Sequence, residues 1–120
     1  MIKTVFDLEV FKLSYQLAME IFNVTRNFPK VEKYSLTDQV VRSSRSISAN
    51  IAEGWGKRIY ENEFKRHLIY GMGSLEETKT WLYFANDCHY LSKEVFDGLN
   101  KKCDELGAKI YKLYENWKTL

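Results

Sequence analysis

Apolar residues return at steps of three and four along most of the chain, the period of a helix with one face turned inward. Leu17, Ile21, Val24 and Phe28 form one stripe, and Phe11, Tyr15, Ala18 and Phe22 run beside it. Glu9, Lys12, Gln16, Glu20 and Asn23 fill the opposite side. The pattern predicts a first helix from about Phe6 to Asn27. Pro29 closes it, because the residue before a proline is pushed out of helical geometry.

A polar connector follows, and Ser35-Leu36-Thr37-Asp38 reads as a capping box that opens a second helix. Leu36, Val40, Ile47 and Ile51 form its inner stripe, with Ser43 or Ser44 in the gap. Val41, Ser48, Ala52 and Trp55 lie alongside. Gly54 is the expected stop, as a left-handed cap. A long third helix is predicted from Tyr60 to Asp87, with Phe64, Leu68, Gly71 or Met72, Leu75 and Leu82 on its seam. Ser92 caps a fourth helix. There Phe96, Leu99, Cys103, Leu106, Ile110, Leu113 and Trp117 repeat without a miss, the seam of helices packed side by side. Short connectors imply antiparallel neighbours. The expected architecture is all-α, one domain over residues 1–120, an antiparallel up-down-up-down four-helix bundle.

One stretch stands apart. "VVRSSRSISANIAEGWGKR", residues 40–58, crowds small polar residues and cations between its aliphatic positions. Serine is a poor interior helix residue by a few tenths of a kcal/mol. Its repeated use at Ser43, Ser44, Ser46 and Ser48 points to a surface kept small for close approach. Gly71 and Gly73 pose the same question in the third helix, so the second and third helices are expected to meet small face to small face. Asn50 and Glu53, three apart, read as ties for the helix end and the Gly-Trp-Gly turn, with a polar site as the alternative.

With 120 residues the chain can bury a core without staples. Eighteen Lys and Arg oppose sixteen Asp and Glu, so the net charge is only +2 and any polyanion binding depends on where cations sit. Between residues 42 and 67, Arg42, Arg45, Lys57, Arg58, Lys65 and Arg66 face three acids, a local +3. An isolated +3 binds polyanions weakly, because affinity rises with the number of phosphates neutralised. Tyr60, Trp55 and His67 interleave the cations as candidate stackers for unpaired bases. The competing reading is a solvated face of internal pairs, such as Arg42 with groups beside Glu53 or Arg58 with Glu61.

Catalysis finds little footing. Gly71-Met72-Gly73 lacks the third glycine and the Lys-Ser/Thr of a phosphate loop. Cys88, His89, His67 and Cys103 have no paired spacing for a metal, and neither histidine sits in a Glu-x-x-His motif. No nucleophile elbow occurs. No cofactor, metal or catalytic residue is therefore assigned. The absence of a secretory signal, a long apolar run or a C-x-x-C pair predicts a cytoplasmic protein with reduced thiols and no membrane partner. Eighteen aromatics exceed what one bundle core readily absorbs, so some of them, Tyr83, Phe84, Tyr111 and Tyr114 among the candidates, are expected at subunit contacts.

The central stretch carries a resemblance. Gln39, Arg42, Ser46-Ile47, Asn50-Ile51-Ala52-Glu53-Gly54 and Lys57-Arg58, followed by Gly73-Ser74-Leu75 with Glu76-Glu77, closely resemble the proteins encoded by intervening sequences in bacterial 23S rRNA genes. That ribosomal-protein-like four-helix bundle family matches essentially the whole chain. The resemblance implies a left-handed antiparallel bundle assembled as a homopentameric ring. It also implies kinship with accessory proteins of diversity-generating retroelements, which bind nucleic acid through basic surfaces and contact a reverse transcriptase. Two non-catalytic roles follow as expectations: an oligomeric scaffold for RNA or DNA, or an adaptor for another protein.

Overall fold

The computed structural model describes residues 1–119. Four helices, α1 (Glu9–Thr25), α2 (Leu36–Gly56), α3 (Glu61–Asp87) and α4 (Lys93–Asn116), are preceded and joined by short 3-10 turns at Val5–Asp7 and Lys30–Glu32. No strand occurs among the described residues. Each helix packs on two others: α1 on α2 and α4, and α3 on α2 and α4. The result is a rod of 48 × 25 × 20 Å.

The periodic stripes meet along its axis. Ile21, Val40, Ile47, Ile51, Phe64 and Leu68 are buried at or near zero exposure, and Leu82, Leu106 and Ile110 extend that core toward α3 and α4. The second predicted stripe of α1 is only half right. Phe11 and Ala18 are buried, Phe22 is half-buried, and Tyr15 is exposed. Helix α1 begins three residues later than expected. Phe6 lies in a 3-10 turn held by Asp7, whose carboxylate accepts from the amides of Lys3 and Thr4 at 2.8 and 3.0 Å.

Two predicted caps are replaced. Ser35 does not bond the first turn of α2 as a capping box would. Its hydroxyl donates to Glu32 Oε1 at 2.6 Å, and the Leu36 amide donates to the same oxygen at 3.3 Å. Glu32 thus supplies the negative charge that a helix start favours, and Asp38 is left to face Arg42. The other Glu32 oxygen accepts from the Tyr90 hydroxyl at 2.9 Å, tying the start of α2 to the turn after α3. In that turn His89 adopts φ 62°, and the Tyr90 amide reaches back to the Ala85 carbonyl at 2.9 Å, a left-handed helix stop made without glycine.

Gly54 is the second correction. Helix α2 continues through it to Gly56, and no glycine has positive φ. Its role is steric. A Cβ on Gly54 would stand 2.7 Å from the His67 Cβ, 3.2 Å from Phe64 Cδ1 and 3.3 Å from the Phe64 carbonyl oxygen. The His67 Cβ and the Phe64 carbonyl are fixed to the α3 backbone, so they cannot swing aside. Gly71 faces the Ile47 carbonyl at 3.7 Å from an added Cβ, an ordinary contact. Gly73 is not part of the close approach, because a Cβ there meets nothing within 4 Å.

The two glycines therefore respond oppositely to the same change. Gly54→Ala is expected to destabilise by about 1–3 kcal/mol, since the overpacking term exceeds the helix-propensity gain of about 1 kcal/mol. Gly73→Ala is expected to stabilise by up to about 1 kcal/mol. Urea midpoints at fixed protein concentration read both signs.

The Glu32–Tyr90 pair sets a pH dependence. Bonds from Ser35, Tyr90 and the Leu36 amide hold the Glu32 carboxyl below its ordinary value. Its contribution is present above the ordinary glutamate range and lost as pH falls through the lowered value. Tyr90, bonded to that carboxylate, is pushed up to about 12. Its contribution holds below the ordinary phenol value of about 10 and is lost as pH rises toward the raised one. Tyr90→Phe is thus expected to lower the melting temperature most near neutral pH, and progressively less toward strong acid and strong alkali. A melting series across pH checks this.

Candidate functional site

The interface of α2 with α3 is a ladder of polar contacts between small residues. Thr78 Oγ1 lies 2.9 Å from Ser43 Oγ and 2.8 Å from the Ser74 carbonyl oxygen, and donates to one of them at a time. Next along, the hydroxyls of Ser46 and Ser74 meet at 2.9 Å. Asn50 Nδ2 then donates to the Ser46 carbonyl at 2.9 Å and to its hydroxyl at 3.1 Å. Asn50 Oδ1 faces His67 Nδ1 at 3.4 Å. The pairs 43–78, 46–74, 50–67 and 54–64 rise along α2 as they fall along α3. Ser43, Ser44 and Ser48 also donate to the carbonyl three residues back, at 3.3, 3.0 and 3.2 Å. Ser43, Ser44 and Ser48 are thus satisfied locally, while the Ser46 hydroxyl pairs across the seam with Ser74.

His67 is 5% exposed and ends the ladder. Its Nε2 lies 3.3 Å from Lys57 Nζ and 3.6 Å from Glu53 Oε2, and those two side chains pair at 3.3 Å. Tyr70 meets the ring edge-on at 5.4 Å. Asn50 and Glu53, read from sequence as ties at the helix end, are thus ties across two helices. Thr78 and Tyr70 belong to the same seam and had not been singled out. The signal for Thr78 was its place four residues after Ser74, on the face that α3 turns to α2.

The cations do not gather on one face of the subunit. Arg42 pairs with Asp38 at 3.8 Å, not with groups near Glu53. Arg45 leans over the Phe22 ring of α1, 5.3 Å from its centroid. Arg58 stacks on Trp55 at 3.9 Å and donates to the Trp55 carbonyl at 3.0 Å, with no contact to Glu61. Lys65 takes Glu61 at 3.8 Å and lies 5.4 Å from the Tyr114 centroid on α4. Arg66 takes Glu63 at 3.6 Å. Lys57 and Arg58 sit together at the α2–α3 turn, Lys65 and Arg66 lie in the first turns of α3, and Arg42 and Arg45 are more than three turns back along α2. The stacking set is also revised. Trp55 is 8% exposed within a cluster with Phe64 and Trp117, and His67 is buried, so only Tyr60, 67% exposed, keeps a free ring.

Around the imidazole the polar neighbours are Asn50, Glu53 and Lys57, none of them a hydroxyl or thiol. Burial pushes the Cys103 thiol up to about 12, so it stays protonated in the core, while Cys88 is exposed. Among the described residues, no three His, Cys, Asp or Glu side chains gather where a metal could sit. No helix among the described residues is long and apolar enough to cross a membrane. Open grooves occur on the surface, such as one of about 380 Å³ beside Trp81 and Phe84.

The fold and its seam define a four-helix all-α protein whose most specific features lie between α2 and α3. The chain belongs to the 23S rRNA-intervening sequence protein family, whose family model matches residues 6–112. It is also similar in fold to a crystal structure of a protein of unknown function from the S23 ribosomal protein family of Bacteroides thetaiotaomicron. The two are 23% identical, with a TM-score of 0.80 over 89% of this chain and 96% of that one. No protein of curated description matches.

The ladder predicts energetic coupling between helices. Thr78→Val and Ser43→Ala are each expected to cost about 1–2 kcal/mol, and the double variant less than their sum by about 0.5–1 kcal/mol. A double-mutant cycle in urea measures the difference.

Proposed function

We propose that the chain is a non-catalytic cytoplasmic scaffold, an antiparallel up-down-up-down bundle that assembles into a homopentameric ring and binds RNA or DNA backbones through α2 and the α2–α3 turn. The carrying observation is how loosely the cations there are held. Arg42 and Arg66 pair only with carboxylates one turn away on their own helices, at 3.8 and 3.6 Å. Exposed pairs of this kind are worth about 0.3–0.5 kcal/mol, so a phosphate can replace the carboxylate at little cost. The opposed numbering of contacts across α2 and α3 supports the antiparallel course. A single subunit offers its cations in several directions. A ring brings neighbouring copies to the same phosphate chain, and affinity grows with each phosphate neutralised.

A second reading is an adaptor for another protein, with a reverse transcriptase as the kind of partner the family kinship suggests. Its support is the set of half-exposed rings on α1, α3 and α4: Tyr15, Tyr70, Tyr83, Phe84 and Tyr111. Such rings suit protein contacts, apolar along their bodies and, for tyrosine, polar at the tip.

Fluorescence anisotropy with labelled RNA and single-stranded DNA separates the two. The scaffold predicts a log K that falls with log salt by about 0.7 for each phosphate contacted on a single strand. Changing Arg42, Arg45, Lys57 and Arg58 to Glu together should abolish binding. Absence of binding at low salt rejects the nucleic-acid role and leaves the adaptor. Light scattering tests the ring, and a monomer at micromolar concentration counts against it.

A further inference from the structure

The His67 cluster is built so that one proton changes what the basic turn can hold. Asn50 Nδ2 donates to Ser46, with the carbonyl at 2.9 Å and the hydroxyl at 3.1 Å, so it turns Oδ1 toward the ring. That oxygen can only accept, and His67 Nδ1 therefore carries the hydrogen of the neutral ring. Nε2 is left with a bare lone pair, and the ammonium of Lys57, 3.3 Å away, is the donor that fills it. Burial holds the ring in place, and Gly54 packs against its Cβ position. Lys57 and Glu53 are about half exposed, at the solvent side of the ring.

We propose that His67 is a proton-controlled latch on Lys57: the neutral imidazole holds the ammonium, and the imidazolium releases it and takes the Glu53 carboxylate instead. Protonation puts a hydrogen on Nε2, which then has no lone pair to offer. Two cations are left 3.3 Å apart, and the exposed one moves out. Glu53 Oε2, at 3.6 Å, closes on the new N–H. From α3 the facing groups are the edge-on Tyr70 ring and, a turn before, Glu63, already occupied by Arg66. From α2 they are Asn50, Glu53 and Lys57. Glu53 is thus the acid that meets the imidazolium. The cluster passes from neutral to +1, and a free ammonium is presented beside Arg58.

As regulation of polyanion binding, the latch rests on the scaffold reading, so its test has one arm that needs no nucleic acid. Nitrogen-15 NMR of the ring at about pH 8 should show the hydrogen on Nδ1. Carbon relaxation at Lys57 Cε should show an ordered side chain there and a mobile one at about pH 6, with no such change in His67→Gln or for Lys65. The second arm measures binding of a single-stranded oligouridine at constant low salt. Wild type should tighten by about threefold to tenfold between those pH values, and Lys57→Met, a surface change that leaves the core intact, should lose most of that gain. A hydrogen on Nε2 at the higher pH, or a Lys57 side chain equally mobile at both, overturns the latch. Oligouridine binding without pH dependence also overturns it. A working latch with no oligouridine binding at either pH overturns the scaffold reading alone.

Discussion

Helices α2 and α3 come closer than leucine-sized side chains permit, and this constraint organises the rest. At Gly54 the distance is too short even for a methyl group, because the α3 atoms facing it are a backbone oxygen, a Cβ and a ring carbon. Close approach has a second requirement. Side chains small enough to allow it are mostly serine and threonine, and a buried hydroxyl needs a partner. The chain meets that need by local bonds to the preceding turn and by hydroxyl pairs across the seam. The seam is therefore both thin and hydrogen-bonded, and a substitution there disturbs one property or the other.

The same constraint carries the polar cluster at the end of α2. With no side chain at position 54, the base of His67 can sit against the α2 backbone, and the ring then reaches Asn50, Glu53 and Lys57 on successive turns. Removing that gap would push α3 outward and separate the imidazole from all three. The steric role of the glycine and the chemistry of the histidine are one feature.

Much of this was legible in the sequence, and what was not has identifiable causes. The four helices and the fourth-helix seam follow from period alone, and the seam residues from Phe96 to Ile110 are buried. Small-to-small packing of α2 on α3 followed from the price of placing serine in a helix. Gly54 was misread because a glycine near the end of a pattern looks the same whether it caps a helix or makes room for a neighbour. Only His67, thirteen residues on, distinguishes the two. The Ser35–Asp38 cap failed because Glu32, three residues before Ser35, offers a charged oxygen to both the serine and the Leu36 amide. Trp55 read as a free ring because nothing local says that Arg58 covers it and that Phe64 and Trp117 flank it. Each miss is a contact between residues that pattern alone treats separately.

The six cations are not equivalent, and their differences follow from what each does for the fold. Arg58 donates to a carbonyl in the last turn of α2 and shields Trp55, so it satisfies a helix end before it can serve a ligand. Lys57 is bound into the histidine cluster. Arg45 and Lys65 lie over rings of neighbouring helices, where their stems cover apolar surface. Arg42 is different: its side chain is 77% exposed, and its one partner is at 3.8 Å, near the limit of a salt bridge. A phosphate chain crossing α2 would find Arg42 available without rearrangement and Lys57 only after its imidazole partner is lost. The net charge of +2 says little about such a surface. Under the proposed scaffold reading, what matters is how much of the local +3 faces outward and how many copies would present it together.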